Sequence, residues 1–270
     1  MAGIDYSRIG LRVGLEIHQQ LATKTKLFCR CPVMRSEELP LSIKRKLRPV
    51  PSELGDVDPA AQYEYLRDRN FVYKYHSESS CLVELDEDPP KSLNIEALQI
   101  AIQACKLLDC EMVDELHVMR KTVIDGSSVS GFQRTVLVGT NGSLDTSLGK
   151  VGISTICLEE DSATKIAEKG STIEYRLDRL GIPLIEIATS SEIKTPEHAH
   201  EVAEKIGLIL RSLDVVRGIG SIRQDVNVSV RGGARVEIKG FQELGKIARL
   251  VESEAQRQVS LLKIKDELHK

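Results

Sequence analysis

Leu11-Arg12-Val13-Gly14-Leu15-Glu16-Ile17-His18-Gln19 is the stretch whose reading decides the fold. Leu11, Val13, Leu15 and Ile17 alternate with Arg12, Gly14, Glu16 and His18, the period-two signature of a half-buried strand. Glu16 and His18 are two residues apart, so they share a face at a spacing of roughly 6.5–7 Å. The alternation returns near the end of the chain, where Asp225, Asn227 and Ser229 interleave with Val226, Val228 and Val230, and Glu237 and Lys239 with Val236 and Ile238. Gly181-Ile182-Pro183-Leu184-Ile185-Glu186-Ile187 sets one carboxylate inside an otherwise apolar strand. Further strands are expected around 71–75, 151–158 and 182–189, with Thr140-Asn141-Gly142-Ser143 as a hairpin turn and a polar Gly/Ser loop at 125–131.

Three amphipathic helices complete the pattern. One starts at Asn94, a fitting N-cap, and reaches Leu108. Another opens at Thr195-Pro196, with Val202, Ile206, Ile209 and Leu213 inward and His198 and His200 expected at the surface. The last carries Leu244, Ile247, Val251, Ala255, Val259 and Leu262 and meets no stop signal before Lys270, so the chain is expected to continue in the natural protein. Strands joined by hairpins, with few helices between them, give an α+β fold with a largely antiparallel sheet.

Composition narrows the function. The 270 residues are 41% hydrophobic and 29% charged, as in an ordinary globular protein. With 4% aromatics, no Trp and a net charge of −3, the surface is not built mainly to grip or stack a nucleic acid. The cluster Lys44, Arg45, Lys46 and Arg48 is expected to be a solvated face. There is no membrane-length apolar run and no signal-peptide pattern, so a cytoplasmic location is expected. The six cysteines are then thiols or metal ligands. Cys29-Arg30-Cys31 is half of a zinc pattern, but no second pair completes it, and two reduced cysteines are expected.

Glu186 is the residue hardest to read as a wetted surface group, because a charge flanked by Leu184, Ile185 and Ile187 is costly to bury without a partner. If its strand lies beside those of Glu16, His18, Asp225 and Glu237, with the cluster Glu159-Glu160-Asp161 between, several carboxylates and one imidazole converge. Such a cluster asks for Mg²⁺ or a basic residue, and Mg²⁺ held by a few carboxylates usually works on phosphate. The alternative is polar faces that simply meet water. No Walker or dinucleotide-binding loop exists: Gly218-Ile219-Gly220-Ser221 lacks the third glycine and precedes a strand.

The same segments resemble a known family. Val13-Gly14-Leu15-Glu16-Ile17-His18 with Thr23-Lys24-Thr25-Lys26-Leu27-Phe28-Cys29 is similar to the opening signature of the B/E subunits of Glu-tRNA(Gln) amidotransferases. Leu158-Glu159-Glu160-Asp161, Asp178 through Ile187, Gly220 through Arg231 and Glu237-Ile238-Lys239 resemble the later signatures in order. The opening Ile4 through Gly10 looks like the archaeal E type rather than the bacterial B type, and the second cysteine pair of some B-type chains is missing.

The resemblance implies a cradle-shaped catalytic domain over residues 1–240, with 241–270 beginning a helical segment. It implies that ATP phosphorylates the side-chain carboxylate of glutamate on tRNA(Gln), and that ammonia from an asparaginase-like D-type partner displaces the phosphate. By position, His18, Glu160 and Glu186 match Mg²⁺ ligands, and Glu16, Asp225 and Glu237 match surrounding acids. Lys121 matches a lysine near the end of the ammonia channel, and tRNA would be held mainly by domains outside this chain. Arg176 stands where many relatives have an acid and receives no role. Two other readings stay open: a carboxylate-activating ligase with another acid substrate, and a non-catalytic docking module for the ammonia-producing partner.

Overall fold

The structure, a computed structural model, describes residues 4–49, 51–52 and 54–269. After a single turn, α1 (Tyr6–Ile9), the chain enters β1 (Arg12–Gln20). Val13, Leu15 and Ile17 are fully shielded from solvent, as their alternation requires. Each such burial stabilises the fold by roughly 1.5–3 kcal/mol. Next come β2 (Leu41–Arg45), α2 (Pro59–Leu66) and β3 (Asn70–Tyr75). Then α3 (Ile95–Leu107) begins where Asn94 accepts a hydrogen bond from the Ala97 amide at 3.1 Å.

A run of strands follows: β4 (Glu111–Met112), β5 (Val118–Thr122), β6 (Phe132–Thr146), β7 (Gly149–Glu160), β8 (Thr164–Lys169), β9 (Thr172–Arg176) and β10 (Pro183–Thr189). Helix α4 (Pro196–Arg211), capped by the Thr195 hydroxyl, leads to β11 (Ile222–Ser229) and β12 (Val236–Phe241). A 3₁₀ turn at Leu244–Lys246 then enters α5 (Ile247–Leu268).

The expected α+β architecture is borne out. Eight strands form an antiparallel sheet in the order β12-β11-β1-β10-β7-β6, with β4 and β5 both paired to the far side of β6. The smaller sheet, β2-β3-β9-β8, contains one parallel pair, β3 with β9. Helices α3, α4 and α5 cover one face of the large sheet. Ala97, Ile100 and Ala104, then Val202 and Ile206, then Ile247 and Val251 pack there against Val13, Leu15, Ile17, Ile185, Ile187 and Val228. The other face keeps the polar residues, and β1 lies in its middle.

Two local expectations fail. Thr140-Asn141-Gly142-Ser143 is not a turn: β6 runs straight through it, and the hairpin falls at Ser147-Leu148, where Thr146 faces Gly149. Asn141 takes φ 54° inside the strand and donates to Glu111 across to β4, while Gly142 lets the end of α3 come close. A Cβ there would sit 2.2 Å from the Cys110 sulfur. The Asn-Gly pair thus serves a close approach rather than a reversal. His198 is also not a surface residue: it is 4% exposed and its Nε2 lies 2.8 Å from the Thr146 hydroxyl.

Candidate active site

Register decides which side chains meet on the polar face. In antiparallel pairing, directly opposed residues point the same way. His18 of β1 faces Glu186 of β10 on one side and Arg223 of β11 on the other. Glu16 faces Asp225, and Asn227 faces Glu237 of β12. Glu186 faces Cys157 of β7, which puts Glu159, two residues on, over the same face. Glu159 faces Thr135 of β6, and Gln133, two residues earlier on the same face of β6, faces Lys121 of β5. One polar track therefore crosses seven strands, from Glu237 to Lys121.

At its centre, His18 Nδ1 lies 3.6 Å from both Glu159 Oε2 and Glu186 Oε2, and its Nε2 lies 3.8 Å from Asp225 Oδ2. Lys121 Nζ donates to Glu159 Oε1 at 2.8 Å and stands 3.9 Å from Glu186. Glu16 accepts from the Asn227 amide at 3.1 Å. A bulge between Gln224 and Val226 turns Asp225 so that its Oδ1 accepts from the Gly240 amide at 2.7 Å. Lys239 bridges Asp225, 3.9 Å away, and Glu237, 3.1 Å away. Glu237 thus joins the site only at its edge.

The carboxylates divide in protonation. Burial raises Glu186, the neighbouring Glu159 raises it further, and the result is about 7. Burial also opposes ionisation of Glu159, but His18 beside it and the hydrogen bond from Lys121 prevail and hold it at about 2. Burial would lower His18, yet the carboxylates of Glu159, Glu186 and Asp225 beside it raise it. Lys121 follows the same balance: burial lowers its pKa and Glu159 more than restores it, so the ammonium is charged. Burial and the two glutamates push the Cys157 thiol up to about 12, which removes it as a nucleophile. The cluster therefore carries more negative charge than its basic groups neutralise, and the excess favours the protonated forms of Glu186 and His18, raising both.

Glu160 is not part of this cluster. Adjacent strand residues point to opposite faces, so when Glu159 enters the site Glu160 leaves it. Its carboxylate accepts from the Arg134 guanidinium at 3.1 Å and from the Arg134 amide at 3.2 Å, and both side chains are buried. Burial raises Glu160 more than Arg134 lowers it. The sequence expectation of Glu160 beside His18 and Glu186 is corrected to Glu159. Asn227 and Lys239 were also missed in functional roles, although their place in the alternation with Asp225 and Glu237 marks both as facing the site.

Two donor triads result, His18–Glu159–Glu186 and Glu16–His18–Asp225, each with ligand atoms within 4.8 Å of one another. A separate group lies apart from the polar track. The single pair Cys29–Cys31 is joined by Cys81 and Glu84, so the structure assembles four donors where the sequence offered no complete set. Glu84 accepts from the Cys29 thiol and from the Cys81 amide, each at 2.8 Å, and pairs with the wholly buried Lys26 at 3.2 Å. Arg176 is engaged by Asp178. Arg45 and Lys46 of the basic cluster pair with Glu87 and Asp68 at the surface. Among the described residues no helix is long and apolar enough to cross a membrane.

A model of the GatB/GatE catalytic domain matches residues 11–269, which include every member of the polar track. The chain belongs to this family. It is similar to the E-type glutamyl-tRNA(Gln) amidotransferase chain of Methanocaldococcus jannaschii, at 53% identity over 267 residues, 98% of this chain and 42% of the relative. The E-type chain of Aeropyrum pernix is 56% identical over 269 residues, 99% of this chain and 42% of the relative. That of Pyrococcus furiosus is 52% identical over 271 residues, 100% and 43%. The E-type resemblance seen in the sequence is borne out, and the chain spans about two-fifths of the length of these relatives.

Proposed function

We propose that the polar track is the phosphoryl-transfer and amide-forming site of a glutamyl-tRNA(Gln) amidotransferase, converting glutamate on tRNA(Gln) to glutamine with ATP, Mg²⁺ and ammonia from a D-type partner. The single observation that carries this reading is the convergence of Glu16, Glu159, Glu186 and Asp225 around His18 with too few basic groups to balance them. Hard oxygen donors in negative excess suit Mg²⁺. His18, Glu159 and Glu186 would hold it, with Glu16 and Asp225 beside them. Bound there, the cation would offset the repulsion between a nucleotide polyphosphate and a substrate carboxylate.

The chain's own groups have distinct parts. Glu159, ionised far below neutrality, is a ready oxygen ligand, whereas at Glu186 and His18, both raised by the surrounding carboxylates, protons would compete with a bound cation. Lys121 is charged and fixed by Glu159, so it suits stabilising an anion at the end of the ammonia path rather than accepting a proton. Asp225, held by the Gly240 amide, orients the far nitrogen of His18. Lys239 fixes Glu237 beside Asp225 at the outer edge of the track.

The test is ADP release and Gln-tRNA formation by the full-length protein with an ammonium salt, Mg²⁺, ATP and glutamyl-tRNA(Gln). Glutamyl-tRNA-dependent ADP release is expected. Turnover with free glutamate alone would move the reading to another acid substrate. No ATP turnover with either acid, while the protein still binds the ammonia-producing partner, would make it a docking module.

A further inference from the structure

Helix α3 ends in a pair of cysteines that the polar track does not use. The Cys110 amide donates to the Cys105 carbonyl at 2.8 Å, and the Asp109 amide donates to that of Lys106 at 3.4 Å. Between them Asp109 takes the left-handed conformation at φ 52°. These are the two backbone bonds of a Schellman motif, which commonly brings the side chains of its outer residues, here 105 and 110, into contact. An apolar contact is the usual filling. Here both residues are free thiols.

The facing strand is cut back for their sulfurs. A Cβ at Gly139 of β6 would stand 2.6 Å from the Cys105 sulfur and 3.3 Å from the Cys110 Cβ. One at Gly142 would stand 2.2 Å from the Cys110 sulfur. Glycine inside a strand weakens it, yet β6 gives up two side chains so that both thiols share the space between it and α3. Solvent reaches the two unequally: Cys105 is fully buried, whereas Cys110 is half-buried. Cys105 lowers the Cys110 thiol, while Cys110 and burial raise Cys105. The outer sulfur is therefore the one suited to attack, and the inner one to resolve.

We propose that Cys105 and Cys110 form a redox-active dithiol, a modification site that takes small disulfides and closes reversibly to an internal one. The Cys110 thiolate attacks one sulfur of a reagent R–S–S–R, whose S–S bond breaks and releases RS⁻, leaving a mixed disulfide on Cys110. The Cys105 thiolate then attacks the Cys110 sulfur, and a second RS⁻ leaves. The protons given up by the two protein thiols end on the two leaving thiolates. The protein is thus oxidised by two electrons and the reagent is reduced to two thiols. The backbone bond from Cys110 to Cys105 already closes the turn that the new bond would span, so the disulfide needs no rebuilding of the helix end. The site lies where α3 packs on β6, the strand whose Thr135 donates to Glu159. It is independent of the function proposed above.

Peptide mapping of the full-length protein after treatment with excess glutathione disulfide at neutral pH tests this. Trypsin cuts after Lys106, so Cys105 and Cys110 fall on separate peptides, 92–106 and 107–120, unless a disulfide joins them. The two peptides should appear as one species without reductant and separate when dithiothreitol is added. Cys105→Ser should stop with glutathione bound to Cys110. In Cys110→Ser, glutathione should reach the buried Cys105 about tenfold more slowly or less, with folding of both variants checked by thermal unfolding. If the native protein keeps both thiols free while the same protein in denaturant reacts, the pair is a packing contact and the proposal fails. If the native protein stops with glutathione on Cys110, Cys105 does not resolve it and the proposal also fails.

Discussion

Glu186→Gln separates two demands that the site makes on one carboxyl. Without metal, burial and Glu159 hold Glu186 at about 7 against an ordinary 4.5. At ~1.4 kcal/mol per pKa unit that gap is worth roughly 3 kcal/mol, and solvent at a side chain 14% exposed leaves about 1–3 kcal/mol. Between pH 4.5 and 7 the native state binds the extra proton and the unfolded chain does not. Stability from this group is therefore present below 4.5 and lost as pH rises to about 7. Glutamine keeps the shape and never carries the charge. In EDTA at pH 8 the variant should melt roughly 2–10 °C above the native full-length protein, and at pH 5 the difference should shrink towards zero.

Saturating Mg²⁺ should reverse the order at pH 8, because it stabilises the native site and finds one strong oxygen fewer in the variant. With the ammonia-producing partner present, the variant should lose glutamyl-tRNA-dependent ATP hydrolysis and glutamine formation together. The partner's own release of ammonia should persist. A variant that melts below the native protein in EDTA at pH 8, or forms Gln-tRNA at near-native rate, would refute the reasoning and leave Glu186 a structural carboxylate.

The other expectations are more local. Glu160→Gln should cost roughly 3 kcal/mol of stability by breaking the buried pair with Arg134, yet leave Mg²⁺ affinity within about threefold; Glu159→Gln, which also loses the partners that keep this carboxylate ionised, should cost stability and weaken Mg²⁺ binding about tenfold or more. Equal loss of Mg²⁺ affinity in calorimetry of both variants would return Glu160 to the site. Cys29, Cys31, Cys81 and Glu84 should hold no stoichiometric zinc, since Glu84 is already satisfied by a thiol, an amide and the ammonium of Lys26. One zinc per chain by elemental analysis, lost on Cys31→Ser, would reverse that. The 270-residue chain, at a net charge of −3, should bind tRNA only weakly and lose that binding as salt rises, whereas nanomolar selective binding at physiological salt would contradict it.

The helices and the middle strand were legible because each carries its own punctuation. Asn94 and Thr195 cap their helices as read, and the period-two run around Glu16 is β1. Asn141-Gly142 misled because the pair is a hairpin signal only when nothing else needs a small residue there. The approach of α3 to β6 is a tertiary fact, and local sequence does not contain it. His198 was misjudged for a related reason: the first turn of a helix is usually wet, but the hairpin end at Thr146 closes over it.

The exchange of Glu160 for Glu159 marks where strand reasoning runs out. Alternation states that of two adjacent acids one faces each way, but not which way. Choosing needs an inter-strand register, and a slip of one residue inverts the answer. Here Glu186 faces Cys157, so parity along β7 selects Glu159 for the site. Parity along β6 points the same way: Thr135 faces Glu159 and donates to it, while the neighbouring Arg134 turns to the far side of the sheet and meets Glu160. Each acid thus has a partner suited to its face. Lys121 and His18 keep one carboxylate charged on the polar face, and Arg134 satisfies the other on the opposite face. Matching the adjacent acids Glu159-Glu160 to a sequence pattern could not tell them apart, whereas the hydrogen-bond ladder of the sheet does.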